Sequence, residues 1–131
     1  MILELAPLRI RAGRSAEFEA AFQRAQTIIV QVPGYISHEL QRCVERPGEY
    51  VLLVRWQSVA AHEVNFRGSA GYQEWKRQLH HFYDPFPVVS HYETVEGTAA
   101  NAFLERKYNF NVNVTGNPVS TRFVPFPFSR P

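Results

Sequence analysis

Apolar positions recur along this chain with two different periods, and the changes of period mark out its elements. From Ile2 to Arg11 the alternation is that of a strand: Leu3 and Leu5 share one face, and beyond Pro7 the apolar positions Leu8 and Ile10 take the opposite parity. Proline cannot donate to a ladder, so a bulge or kink at Pro7 is expected to switch the face. Gly13 then marks a turn. Ser15 is read as a helix N-cap, with Glu17 and Glu19 in the first turn where the helix dipole favours negative charge. Phe18, Ala21, Phe22, Ala25 and Ile29 follow at three- and four-residue steps and form one helical stripe, which ends before Pro33-Gly34.

A second strand is predicted over Tyr35 to Val44, with Ile36, His38 and Leu40 on one face. Arg46-Pro47-Gly48-Glu49 has the length and residues of a hairpin turn into a third strand, Tyr50 to Trp56. Val51, Leu52, Leu53 and Val54 make that strand apolar on both faces, as in a central strand covered on two sides. Ser58 caps a short helix carrying Val59, His62 and Phe66. Gly68-Ser69 interrupts it, and Ser69 caps a third helix with the stripe Tyr72, Trp75, Leu79 and Phe82. After Pro85 and Pro87, Val88 to Val95 reads as a fourth strand. The order β-α-β-β-α-β, with its second helix broken in two, is that of a ferredoxin-like α+β fold. An antiparallel sheet with helices on one face leaves the other face bare. A second copy of the same sheet is the simplest cover, so a two-fold homodimer forming a dimeric α+β barrel is expected.

This domain is assigned to residues 1–96. Residues 97–131 form a C-terminal extension. Tyr108, Phe110, Val112 and Val114 alternate there with asparagines, and Phe alternates with Pro beyond Phe123. Two readings stand: an arm that clasps the partner subunit, or a disordered tail.

Composition narrows the function. Lys and Arg total 14 against 12 Asp and Glu and do not cluster, so no nucleic-acid partner is expected. The one cysteine, Cys43, excludes an internal disulfide and a four-cysteine metal site, and points to a reducing, cytoplasmic setting. No apolar run is long enough for a membrane span, and the first ten residues lack the pattern of a signal peptide. Aromatic residues reach 14% of the chain, and their large flat side chains suit a core, an interface or a pocket for a flat ligand, three uses that composition does not separate.

Two segments carry a resemblance. Pro33-Gly34-Tyr35-Ile36-Ser37-His38-Glu39 is similar to the entry to strand two in the antibiotic biosynthesis monooxygenase family. Trp56, Ser58, Ala61-His62, Asn65-Phe66 and Trp75 are similar to that family's region around helix two. The resemblance spans about residues 1–95. It implies a dimeric α+β barrel with a pocket between helices and sheet. Its best-understood members oxidise aromatic polyketides, hydroxyanthrones or quinols with O₂, using neither metal nor flavin. Such chemistry needs polar groups to hold a phenolic oxyanion and an apolar cage to exclude water. Of the polar set in the polyketide-oxidising members, the Trp is kept as Trp56. Their Tyr is His62 here, their Asn is Leu52, and their Arg falls near Lys76. A different substrate follows. The haem-degrading relatives place an axial His where Trp75 stands and an Asn on strand one, which this chain lacks, so haem is not expected.

The resulting expectation is a cofactor-independent monooxygenase-like protein acting on a small aromatic or quinol, without metal or cofactor. His62 and Trp56 are the catalytic candidates, His62 as the acid–base group. His38, Phe66, Tyr72, Trp75 and Lys76 are the substrate-binding candidates, and His91 faces either the pocket or the dimer seam. The alternative is a non-catalytic, small-ligand-binding or stress-associated dimeric module. A third reading has the tail recruit another protein.

Overall fold

The computed structural model describes residues 1–100. Most of the extension, including the alternating stretch from Tyr108 to Val114, lies outside the described residues. Within the compact unit Met1–Glu93 the elements run β1 (Ile2–Arg9), α1 (Ser15–Ile29), β2 (Tyr35–Arg42), β3 (Glu49–Trp56), a π-helical segment (Ala61–Phe66), α2 (Ala70–Leu79), a 3₁₀ turn (His80–Phe82) and β4 (Ser90–Tyr92). The four strands form one antiparallel sheet in the order β2-β3-β1-β4. This is the ferredoxin-like arrangement that the element order implies. No helix among the described residues is long and apolar enough to cross a membrane.

The predicted stripe of α1 is its buried face: Phe18, Ala21, Phe22, Ala25 and Ile29 are all buried. Phe18 is fully enclosed, with edge-on contacts to Tyr50, Phe82 and Tyr83. Glu19 reaches back across the sheet, accepting from the Tyr50 hydroxyl and from the Arg42 guanidinium; the Tyr50 bond, first, and Arg42 hold its carboxyl below the usual range. The N-cap differs from expectation. Arg14 occupies that position without a side-chain cap bond, and Ser15 is the first helical residue. Ser58 and Ser69 do cap: their Oγ atoms accept from the Ala61 and Tyr72 backbone N–H groups at 3.1 and 3.2 Å.

Three readings of the strands need correction. β1 pairs with β3 in continuous register from Ile2 to Arg9, with no bulge at Pro7. Glu4, Ala6, Leu8 and Ile10 are buried on the helix side throughout. Leu3 and Leu5 belong to the opposite face and lie half-buried beside Val51 and Leu53. The apparent change of parity arose because the polar Glu4 interrupts the apolar series. The bulge lies in β2 instead, where the register shifts between Tyr35 and Ser37. It throws Ile36 outward and brings Tyr35 onto the face of His38 and Leu40. β4 is also shorter than predicted: three residues pair with β1.

The motif around Pro33 is explained by contacts. Gly34 has φ +95° and passes so close to the π segment that a Cβ there would sit 2.5 Å from Ala61 Cβ. Asn65 Nδ2 donates to the Pro33 carbonyl at 2.9 Å, and Gln57 N–H to the Gly34 carbonyl at 2.8 Å. These residues fix where the π segment begins and hence where His62 points.

Candidate active site

On the helix side of the sheet, a cavity of about 150 Å³ lies between β1, β3, the π segment and α2. Leu52, Phe66, Trp75 and Val89 supply apolar walls. Glu4, His62, Arg67, Tyr72, His80 and Tyr83 supply polar groups. Phe66 sits at the centre of an aromatic cluster, in edge contact with both Tyr72 (5.0 Å) and Trp75 (5.4 Å).

The chemistry gathers around a carboxyl group. Glu4 is 5% exposed, on a strand face otherwise apolar. Its Oε1 accepts the Trp56 indole N–H at 2.9 Å, and His62 Nε2 stands 3.5 Å from the same oxygen. The other ring nitrogen of His62, Nδ1, is 2.8 Å from His91 Nε2, so one of the two carries the shared proton. His91 is the cross-strand partner of Glu4 on β4, which places all three groups in one line at the sheet edge. The Trp56 ring stacks on His62 with centroids 5.5 Å apart.

Burial sets the charge states. Glu4 is pushed above the usual carboxylate range by loss of water, opposed by the Trp56 hydrogen bond and the nearby Arg67 cation. His62 is pushed down to about 3 by burial, with the Arg67 and His91 charges adding to it. The Glu4 carboxylate would by itself favour an imidazolium. Burial outweighs it, and His62 is neutral near pH 7. His80 is pushed down to about 4 by burial, Lys76 and Arg67. Burial raises Tyr83.

The candidates from sequence separate accordingly. His62, Phe66, Tyr72 and Trp75 border the cavity together. Trp56 is fully buried behind it and touches it through Glu4. His38 lies elsewhere, beside a different depression with Phe22, Gln26 and Tyr50. Its Nε2 lies 2.8 Å from Gln26 Oε1, which can only accept, so Nδ1 accepts from the Tyr35 hydroxyl at 2.5 Å. Lys76 is exposed and holds its ammonium 5.6 Å from the centre of the Tyr72 ring, outside the cavity lining. The cation at the cavity is Arg67, one residue beyond the apolar Phe66 of the same helical run. Glu4, Arg67, His80 and Tyr83 join the site from the structure and are not among the residues nominated from sequence. Glu4 was legible in principle, because it shares the parity of Ala6, Leu8 and Ile10.

A larger depression of about 640 Å³ lies on the bare face, between Pro7, Arg9, Arg46, Val51 and Val88. It is an open groove, and the Glu4–His62–His91 line is not part of its walls. Leu8, Phe86 and Pro87 border both spaces, so the segment carrying Phe86 separates cavity from groove.

Comparison with known proteins agrees with this architecture. The model of the antibiotic biosynthesis monooxygenase family matches residues 1–78. The uncharacterized protein YczJ of Bacillus subtilis (strain 168) is 48% identical over 95 residues, which are 72% of this chain and 100% of YczJ. A crystal structure from Bordetella bronchiseptica, of a protein assigned to antibiotic biosynthesis monooxygenases, matches with a TM-score of 0.69 and 35% identity, over 72% of this chain and 96% of that one. SnoaB, a cofactor-independent oxygenase from Streptomyces nogalater, matches with a TM-score of 0.66 over 76% of this chain and 97% of its own. At 18% identity, that last likeness is one of fold. This chain belongs to the antibiotic biosynthesis monooxygenase family.

Proposed function

We propose that this protein oxidises a small, single-ring phenol or quinol with O₂, as a cofactor-independent monooxygenase-like enzyme. The observation that carries the reading is a small aromatic-walled cavity holding a buried carboxyl–histidine pair. A cavity of about 150 Å³ accommodates one benzene-sized ring. A hydroquinone that loses a proton becomes an electron donor to O₂, so the protein has two tasks. It must move that proton, and it must keep water from the charged ring. The Glu4–His62 pair serves the first task. Phe66, Tyr72 and Trp75 surround the ring for the second, and Trp56 orients the carboxyl group. Arg67 supplies positive charge for the oxyanion.

Oxygen uptake with a panel of hydroquinones and anthrones tests this. Single-ring hydroquinones are expected to turn over, anthrones are not, and His62→Ala should slow turnover on the order of 10²-fold. No uptake with any substrate, or an unchanged rate in the variant, refutes it. Leu52, apolar where the polyketide-oxidising relatives carry Asn, favours a second reading in which the same cavity holds a ligand without consuming it. Native mass spectrometry of protein from its own host would then find a bound molecule that persists under O₂.

The bare face supports pairing with a second copy. Leu3, Leu5, Val51 and Leu53 form its half-buried centre, and Tyr92 is exposed at its edge. Light scattering should give twice the 15.1 kDa chain mass; a clean monomer contradicts the pairing.

A further inference from the structure

We propose that Glu4 is the proton acceptor of the cavity and that it holds the proton while the ionised substrate is bound. The inference rests on the reading of the cavity as a phenol-oxidising site.

Glu4 is a carboxyl group where the fold needs an apolar residue: Ala6, Leu8 and Ile10 continue its strand face into the core. Oε1 accepts from Trp56. Oε2 takes no protein hydrogen bond among the described residues and is not sealed from solvent, and the side chain borders the cavity. An O–H donor on a ligand would complete it. A phenol has that donor on a flat ring suited to walls of Phe66 and Trp75.

The step balances simply. The substrate O–H bond breaks, its proton goes to Glu4 Oε2, and the electron pair stays on the substrate oxygen as a phenolate, the species that then reduces O₂. The proton stays on Glu4 while the phenolate is bound, and the negative charge passes from the carboxylate to the substrate. His62, whose Nε2 stands 3.5 Å from Oε1, holds a proton too weakly to be the acceptor itself. The groups around Glu4 are Trp56 from β3, His62 and Arg67 from the π-segment run, and His91 from β4, with Tyr72, His80 and Tyr83 across the cavity. Arg67 favours the ionised forms of both carboxyl and phenol and disfavours a charged His62.

The probe is 4-nitrophenol, whose colour reports its own ionisation. Bound to the wild-type protein, its ionised-to-neutral ratio should exceed that of the free probe at the same pH by about tenfold, one pKa unit. Glu4→Gln can still accept the Trp56 N–H, and should bind the probe while losing that increase. Equal ionisation in Glu4→Gln, or none in the wild type, overturns the assignment. If Glu4→Gln does not fold, infrared difference spectra of the wild type decide. A protonated-carboxyl band should appear on probe binding, and its absence overturns the proposal. These readouts do not depend on turnover. Oxygen uptake without Glu4-dependent ionisation removes this assignment alone, and Glu4-dependent ionisation without uptake removes the oxidation reading alone.

Discussion

Replacing His62 by glutamine removes one titrating group from the core, and its effect on stability should change with pH. In the folded chain His62 binds its proton far more weakly than the ordinary histidine value of 6.5, down to about 3. Below pH 6.5 the unfolded chain takes up a proton that the folded chain refuses. The stabilisation from a neutral His62 is therefore complete above about pH 6.5 and is lost as pH falls towards 3. A displacement of that size corresponds to at most about 5 kcal/mol, accumulating at about 1.4 kcal/mol per pH unit. Glu4 acts in the opposite sense. Its folded value is raised, so its contribution is present below the unfolded value of 4.5 and is lost as pH rises through the folded one. The wild-type profile alone mixes these slopes, and the difference between wild type and variant isolates His62. At pH 7, His62→Gln loses the His91 hydrogen bond and the stack on Trp56, and should be about 2 kcal/mol less stable. The deficit should close as pH falls, with the two curves crossing near about pH 5. Urea unfolding followed by tryptophan fluorescence, from pH 7 to 4.5 at fixed protein concentration, measures this. A difference that stays constant with pH would mean that His62 is already charged in the folded chain, paired with Glu4, and Glu4 as the free proton acceptor would fail with it.

Other substitutions probe the frame. Gly34→Ala combines a positive φ with a clash against Ala61, and should cost more than about 1 kcal/mol in chemical denaturation; a neutral result would mean that the Pro33–Asn65 contact is not fixed. Trp75→Ala should cost about 3–5 kcal/mol and, if the chain stays folded, admit two-ring quinols that the wild type rejects, read as binding by calorimetry. Leu53→Glu, on the bare face, should leave the circular dichroism unchanged and halve the mass seen by light scattering. Truncation after Glu96 should leave thermal unfolding of the 1–96 domain within about 0.5 kcal/mol of the full chain; a larger loss would assign residues 97–131 to the folded core.

The sequence made the helices legible because helical spacing is redundant. Five stripe residues of α1 agree with one another, so a single exception would not hide them. Strand faces rest on fewer positions. One polar residue, Glu4, was enough to make β1 look kinked at Pro7, and the bulge at Ile36 has neither glycine nor proline to announce it. The site followed the same rule. Phe66, Tyr72 and Trp75 were found because pocket walls are also apolar stripes. His38 was drawn in by its apolar neighbours, though Tyr35 and Gln26 satisfy its ring away from the cavity. Lys76 was placed by likeness to a family Arg, and its position on the outer face of α2 leaves Arg67 as the cation at the cavity. Glu4 escaped notice because an acidic residue in an alternating strand reads as solvent-facing, and only its parity says otherwise.

The most direct test of the account is a crystal structure of the protein grown with hydroquinone under anaerobic conditions. The ring is expected in the inner cavity, between Phe66 and Trp75, with one hydroxyl within hydrogen-bond distance of the Glu4 carboxyl group. A ring bound instead in the groove between Arg46 and Val88, with the inner cavity empty, would contradict it.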